Sequence, residues 1–244
     1  MKILAIDTST LTGSVALLET SPLVLKTEMV LSVSVKHSQS LMPAIERILK
    51  ENQVEVGEID LFAVSEGPGS FTGLRIGIAT TQGLALGTGK PCVGVSSLLA
   101  LGLNGSFFPG LVVPMFDARR GEVYAACFQN PPRPPFFKGG GVVIEESAVT
   151  PDDLLTRLLQ ISSDDPLLFL GQGAEVHRDL IVSKFAERAE FAPPGFNLPR
   201  ASHVGYLAWQ KYLKEGSGSK GLVQPTYLRS AEVTFPVSKR SIAP

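Results

Sequence analysis

The chain has 244 residues, 44% hydrophobic and 18% charged, with a formal net charge of −1 and a pI near 6.3. That length suits two small domains and that composition a sizeable core, which excludes a disordered chain. The near-neutral balance also excludes a chain that grips a phosphate backbone unaided, since such chains carry a basic patch or stripe.

In chain order, residues 2–6 read as a buried strand ending at Asp7, 8–12 as turn, and 13–18 as the return strand of a hairpin. The early Asp and short apolar run do not make a signal peptide. A third strand covers 23–31. In 36–50, Leu41, Ile45, Ile48 and Leu49 recur at helical spacing, and Pro43 predicts a start or kink there. Residues 59–65 form another buried strand, leading into SEGPGSFTGLRIGIATTQGLALG (65–87), with Ser70 as N-cap of a helix over 71–87. That helix spans 15 apolar-rich residues from Gly73 and contains Arg75, too short to cross a bilayer. A short strand over 90–95 and a helix from Ser96 follow.

After a boundary at 106–109 the pattern restarts: strand 111–116 ending at Asp117, turn 118–121, return strand 122–128. ILAIDTSTLTGSVALLE and VVPMFDARRGEVYAACF share the order apolar strand, Asp, polar turn, Gly, apolar strand. This internal repeat predicts an α/β architecture of two mixed-sheet lobes, 1–105 and 106–244. Residues 130–141 are a Pro/Gly-rich loop, 152–159 a helix capped by Thr150, 167–171 a strand, and a helix starts near Ala174. The helix 202–214 is amphipathic, with Val204, Leu207, Ala208 and Leu213 inward. The tail beyond Glu215 is Gly/Ser-rich, then extended.

The chemistry-bearing motifs are few. A phosphate loop needs G-x-x-x-x-G-K-[ST], but Thr72 stands where the second glycine belongs and no Lys follows; the dinucleotide fingerprint fails at the same residue. A nucleophile elbow is absent. His37, His177 and His203 are too far apart for a helical zinc pair. Cys92 and Cys127, the only cysteines, imply neither a disulfide framework nor an all-cysteine metal site. A Gly-rich turn before a helix can still hold an anion, so Asp7, Thr8, Gly69, Ser70 and Arg119 are the candidates for an anion or nucleotide contact. Each helix-interior glycine costs ~1 kcal/mol relative to Ala. Gly73, Gly77, Thr80 and Leu84 share one stripe that admits a close backbone, either the chain's own sheet or another subunit's helix.

Six segments together resemble the bacterial TsaB (YeaZ) family over nearly the whole chain: ILAIDTST at the start, HSQSLMPAI at 37–45, AVSEGPGSFTGLRIGIATTQGLA at 63–85, VSSLLAL at 95–101, DARRGEVYAA at 117–126 and PTYLR at 225–229. The resemblance implies a two-lobed actin-like (ASKHA, RNase H-like) fold, and the two lone cysteines, the N-terminus and the short apolar run predict a cytoplasmic protein. The resemblance also implies a non-catalytic, activating role in threonylcarbamoyladenosine synthesis on tRNA. The paralogue TsaD would be the partner and transfer the threonylcarbamoyl group, with TsaE joining them, TsaC supplying the adenylate, and tRNA reached through the complex. Helices 36–50 and 71–87 would pair with TsaD, or with a second copy in its absence, through His37, Leu41, Ile45, Gly73, Gly77, Thr80 and Leu84. TsaD-like proteins carry metal-binding histidines after the strand that follows the Gly-rich helix. Here those positions fall on Ser97 and Leu101, which cannot replace imidazoles, so metal and ATP or ADP would belong to the partners. The alternative is a stand-alone actin-like ATPase or small-molecule kinase.

Overall fold

The computed structural model describes residues 1–31, 37–129, 141–162, 164–216 and 222–228. The expected 130–141 loop lies outside the described residues except for Gly141, as do Lys36 of the first helix and Arg229 of the late motif.

The apolar run at the start forms β1 (Lys2–Asp7), which pairs antiparallel with β2 (Ser14–Thr20) and parallel with β4 (Leu61–Gly67). With β3 (Leu23–Val30) and β5 (Cys92–Ser96) the first sheet has the order β3-β2-β1-β4-β5. Successive side chains on a strand point to opposite faces, and β1 buries both. Leu4 and Ile6 meet Leu41, Ile45 and Ile48 of α1 (His37–Glu51). Ile3 and Ala5 meet Val204, Leu207 and Ala208 of α7 (Ala201–Glu215). A strand covered on both faces reads as a continuous apolar run, which is why KILAI carries no alternation.

The second sheet comprises β6 (Leu111–Arg119), β7 (Glu122–Gln129), β8 (Gly141–Val149), β9 (Leu167–Leu170) and β10 (Ala189–Phe191). Its order, β8-β7-β6-β9-β10, repeats that of the first strand for strand, so the hairpin repeat extends to whole sheets. Leu154, Leu155 and Leu158 of α4 (Pro151–Ile161) and Ile181 and Phe185 of α6 (Arg178–Phe185) cover one face. The other face receives Leu98 and Leu101 of α3 (Ser97–Gly102), which pack with Val112, Phe116 and Leu170. Ala100 of the same helix belongs to the first sheet's core, so α3 is shared between the sheets.

Several expectations need correction. Pro43 does not start α1: helix runs from His37 through it, and Pro43 and Gln39, whose carbonyl loses its N–H partner, both face solvent. The helix expected from Ala174 is two, α5 (Gln172–Val176) and α6, broken at His177. Strand β8 was not anticipated, because Glu145 and Glu146 interrupt its apolar pattern where its register with β7 slips. Leu213 is exposed; Trp209 and Tyr212 pack on the core instead.

The last helix, α7, returns to the first sheet and is fastened there by Glu28 of edge strand β3. The Glu28 carboxylate accepts from Ser202 N and Ser202 Oγ, both at 2.9 Å, and from Arg200 Nε at 2.9 Å. Its side chain is 5% exposed, so an unreplaced partner is costly. Glu28→Ala is expected to destabilise the chain by ~1–3 kcal/mol, read from urea unfolding midpoints.

Candidate functional site

The segment joining β4 to the next helix positions most of the candidate residues. Ser70 caps α2 (Phe71–Thr88), its hydroxyl accepting from Gly73 N at 3.3 Å, while Ser70 N donates to Ser9 O at 2.7 Å. The end of β1 is thereby docked on the first turns of α2. Thr8 Oγ1 donates to Gly73 O at 2.8 Å. A Cβ on Gly73 would overlap the Thr8 carbonyl oxygen, and one on Gly77 the Thr8 hydroxyl. These two glycines therefore face the chain's own strand, and the stripe read from the sequence is an internal contact.

Leu41 and Ile45 are likewise core residues, each 1% exposed. His37 is half-buried, with Nε2 2.8 Å from Thr10 O, and holds the turn after β1. Gly73, Gly77 and Leu41 thus face inward, whereas Ile45 borders the groove between the two helices and His37 is partly exposed. Thr80 and Leu84 are half-buried. Leu84 lines a groove of about 370 Å³ between the two helices with Met42, Glu46, Leu49 and Val56. The outward strip of α2 carries Ala79, Gly83, Leu86 and Gly87; Leu86 is 86% exposed, and a Cβ on Gly83 or Gly87 would meet nothing within 4 Å. Small residues thus occur on both sides of α2, and only the second set is accessible.

Between the lobes lies a cleft of about 380 Å³, lined by Ser9, Thr10, Gly69, Ser70 and Thr72 from one side and Asp117, Arg119, Tyr124 and Gln172 from the other. Of the five anion candidates, Gly69, Ser70 and Arg119 line it. Thr8 is buried against α2 and Asp7 is fully buried. Ser9 N and Ser9 Oγ donate to Asp7 Oδ1 at 3.1 and 3.0 Å. Burial holds the Asp7 carboxyl above its usual range, against the opposing hydrogen bonds from Ser9. Asp7 is therefore an internal brace of the turn. Its counterpart Asp117 is exposed and accepts from Arg119 N at 2.7 Å. Arg120 and Gly121, at φ of 54° and 77°, make the two-residue turn of a twisted hairpin, and Arg119, at φ of 62°, sits at the register slip just before it.

Among the described residues no group of three or more His, Cys, Asp or Glu could hold a metal ion. Ser97 and Leu101 are fully buried. The thiols of Cys92 and Cys127 are pushed up to about 12 by burial, which leaves them protonated and unreactive. His203 Nδ1 donates to Ala100 O at 3.1 Å, and burial lowers its pKa.

Sequence reasoning missed two acids, Glu66 at the end of β4 and Glu146 in β8. The Ser96 hydroxyl donates to Glu146 Oε1 and also accepts from Leu99 N at 3.0 Å. Burial raises both carboxyls; Lys211 opposes this at Glu66, while Glu145 and Glu66 add to it at Glu146.

Two sheets of identical order, facing across a cleft, define the two-lobed actin-like class. Comparison with known proteins gives the family. The family model described as TsaD, tRNA N6-adenosine threonylcarbamoyltransferase, matches residues 31–236. The tRNA threonylcarbamoyladenosine biosynthesis protein TsaB of Bacillus subtilis is 35% identical over 95% of this chain and 96% of its own. That of Escherichia coli is 31% identical over 94% and 95%. The solved structure of YeaZ from Pseudomonas aeruginosa is 26% identical, covering 93% of this chain and 99% of that one, with a TM-score of 0.70. Component A of (R)-2-hydroxyglutaryl-CoA dehydratase from Acidaminococcus fermentans shares the fold alone, at 9% identity and a TM-score of 0.51 over 87% of this chain and 99% of that one. The chain belongs to the TsaB (YeaZ) family.

The two faces of α2 predict opposite responses to one added methyl group. Gly77→Ala should destabilise the chain by ~1–3 kcal/mol through overpacking against Thr8, whereas Gly83→Ala should stabilise it by ~0.5–1 kcal/mol through helix propensity; paired unfolding curves check both. The buried acids predict a pH dependence. Because the folded state binds their protons more tightly than the unfolded chain, their stabilisation is complete below the ordinary carboxylate pKa and lost as pH rises through the raised values. Glu146→Gln should therefore flatten the fall in Tm on that rise, with a gain of ~2–4 °C at pH 8 and little at pH 4.5.

Proposed function

We propose that this chain is a non-catalytic docking and activating subunit in tRNA threonylcarbamoyladenosine biosynthesis, the process in the names of its Bacillus and Escherichia relatives. It pairs with TsaD in the cytoplasm, TsaE joins the pair, and tRNA is engaged through the assembly; without TsaD, a second copy takes the same face. The units are the lobes 1–105 and 106–244, with α7 returning to the first. The carrying observation is the outward strip of α2, where Ala79, Gly83 and Gly87 leave the helix backbone open to close approach beside the exposed Leu86. A partner helix laid on such a strip gains broad van der Waals contact. The groove past Leu84 to Met42 of α1 extends that surface.

The non-catalytic assignment is supported by Ser97 and Leu101. The positions matching the metal histidines of TsaD-like proteins are core here, and Leu101 packs with Leu98, Val112 and Phe116. Metal and nucleotide chemistry are then the partners' work. The hydroxyl-rich cleft favours the alternative of a stand-alone actin-like ATPase or kinase. Titration of the purified chain with Mg-ATP distinguishes the two: micromolar binding with turnover would favour the enzyme.

The docking face is tested by Gly83→Arg and Leu86→Asp, which add bulk and charge where nothing of the chain itself is touched. Each is expected to abolish co-purification with TsaD and the threonylcarbamoyladenosine formed by the reconstituted proteins, while the isolated chain melts no lower than before. Retention of the complex by both variants would sink the assignment.

A further inference from the structure

Beyond α7 the described chain resumes at 222–228 on the other side of the first sheet. The sheet lies between α7 and α2, and β5 is its edge strand. Both segments meet at Gly94 of β5: Lys211 Nζ of α7 donates to Gly94 O at 3.0 Å, and a Cβ there would lie 2.7 Å from Val223 Cγ1. Residues 223–227 then run extended and antiparallel to α2. Gln82 Nε2 donates to Val223 O at 2.6 Å. Thr226 N donates to Glu66 O at 2.6 Å, where the β4–β5 register slips between Ser65 and Gly67 and frees that carbonyl. At the far end Tyr227 OH accepts from Arg75 Nε at 3.1 Å, its ring lies 5.2 Å from Phe71, and the Arg75 guanidinium stacks 3.8 Å over Phe71. The strap thus spans α2 from Gln82 to Phe71, and Phe71 is itself on the lip of the cleft.

Two features make this more than a packed tail. Helix α2 holds its sheet with few side chains, since Gly73 and Gly77 occupy the inner face; its buried apolar anchors are Leu74, Ile78 and Ala85. Leu74 and Ile78 form a small cluster with Val64 that Val223 of the strap completes. The strap is in turn lightly held, with Leu222 79% and Tyr227 43% exposed. Segments with few buried contacts open at far lower cost than the whole fold. An outward strip of small residues also needs an accurately placed helix, because dispersion contacts are lost within an ångström of separation.

We propose that residues 222–228 are a clasp that controls the docking competence of α2: closed, it fixes the helix for its partner, and the seated partner keeps the clasp closed. This rests on the docking reading above. Coupling between two binding events on one element is reciprocal, so each side can be measured. In the full-length chain, Val223→Ser and Tyr227→Ala release the strap without altering Ala79, Gly83 or Leu86. Both are expected to speed amide exchange over 71–82 at least tenfold and to weaken TsaD binding about tenfold, with global melting within a few degrees of the parent. TsaD should in turn slow exchange of the Thr226 amide in the unmodified chain. Unchanged exchange over 71–82 in both variants would overturn the clasp, as would faster exchange with unaltered affinity. Failure of the unmodified chain to bind TsaD would sink the docking reading and the coupling with it, whereas exchange over 71–82 reports separately on whether the strap holds α2.

Discussion

The approach of Thr8 to the backbone of α2 is the contact on which the first lobe depends. Its hydroxyl reaches Gly73 O while its own backbone and side chain fill the space that Gly73 and Gly77 leave empty. This draws the end of β1 under the helix and seats Ser70 N on Ser9 O. The turn from Asp7 to Gly13 is then trapped between α2 and His37. The cleft's near wall, Ser9, Thr10 and Ser70, consists of what that close approach leaves at the surface. The helix propensity sacrificed at the two glycines, ~2 kcal/mol together, is offset by a buried hydrogen bond and by dense packing that a side chain would prevent.

The second lobe repeats the topology but not this contact. Asp117, at the position of Asp7, is exposed and holds a hairpin tip carrying Arg119 and Arg120 in the left-handed region. Among the described residues no long helix is docked on its end; Gln172 of the short α5 borders the same cleft. Helix α3 ties the copies together by giving Ala100 to one core and Leu98 and Leu101 to the other. Ser97 and Leu101 of this helix are thereby fully buried at the junction of the two cores.

How much was legible from the sequence follows from what a pattern can encode. The strand–Asp–turn–Gly–strand repeat is local, and the matched sheet orders grew directly from it. Periodicity also placed α1, α2 and α7 closely. It placed Gly73 and Gly77 on a common stripe but could not tell inside from outside, because α2 is apolar or small around most of its circumference. The partner of those glycines is Thr8, some 65 residues earlier, a separation that no local pattern records. Glu66 and Glu146 were invisible for the same reason: 80 positions apart, they are joined only through the β5–α3 junction, where Ser96 meets Glu146. Asp7 and Thr8 lay where an anion contact would be sought, yet the close docking of α2 that builds the cleft wall also buries them.

A helix that is apolar on all sides is ordinarily enclosed on all sides. The first sheet takes the face of Gly73, Gly77 and Thr81, the groove residue Leu84 turns toward α1, and the strap takes the flank of Phe71, Arg75 and Gln82. What remains is the strip of Ala79, Gly83, Leu86 and Gly87, with Leu86, in the last turn of the helix, 86% exposed. If solvation alone had shaped that strip, Lys or Glu would occupy it at no cost to the fold, since a side chain at Gly83 meets nothing. Two glycines and an exposed leucine are less favourable than such residues for the isolated chain, by helix propensity and by hydration alike. On the docking reading proposed above, their balance is recovered when another backbone covers them, a partner's helix doing on the outer face what Thr8 does on the inner one.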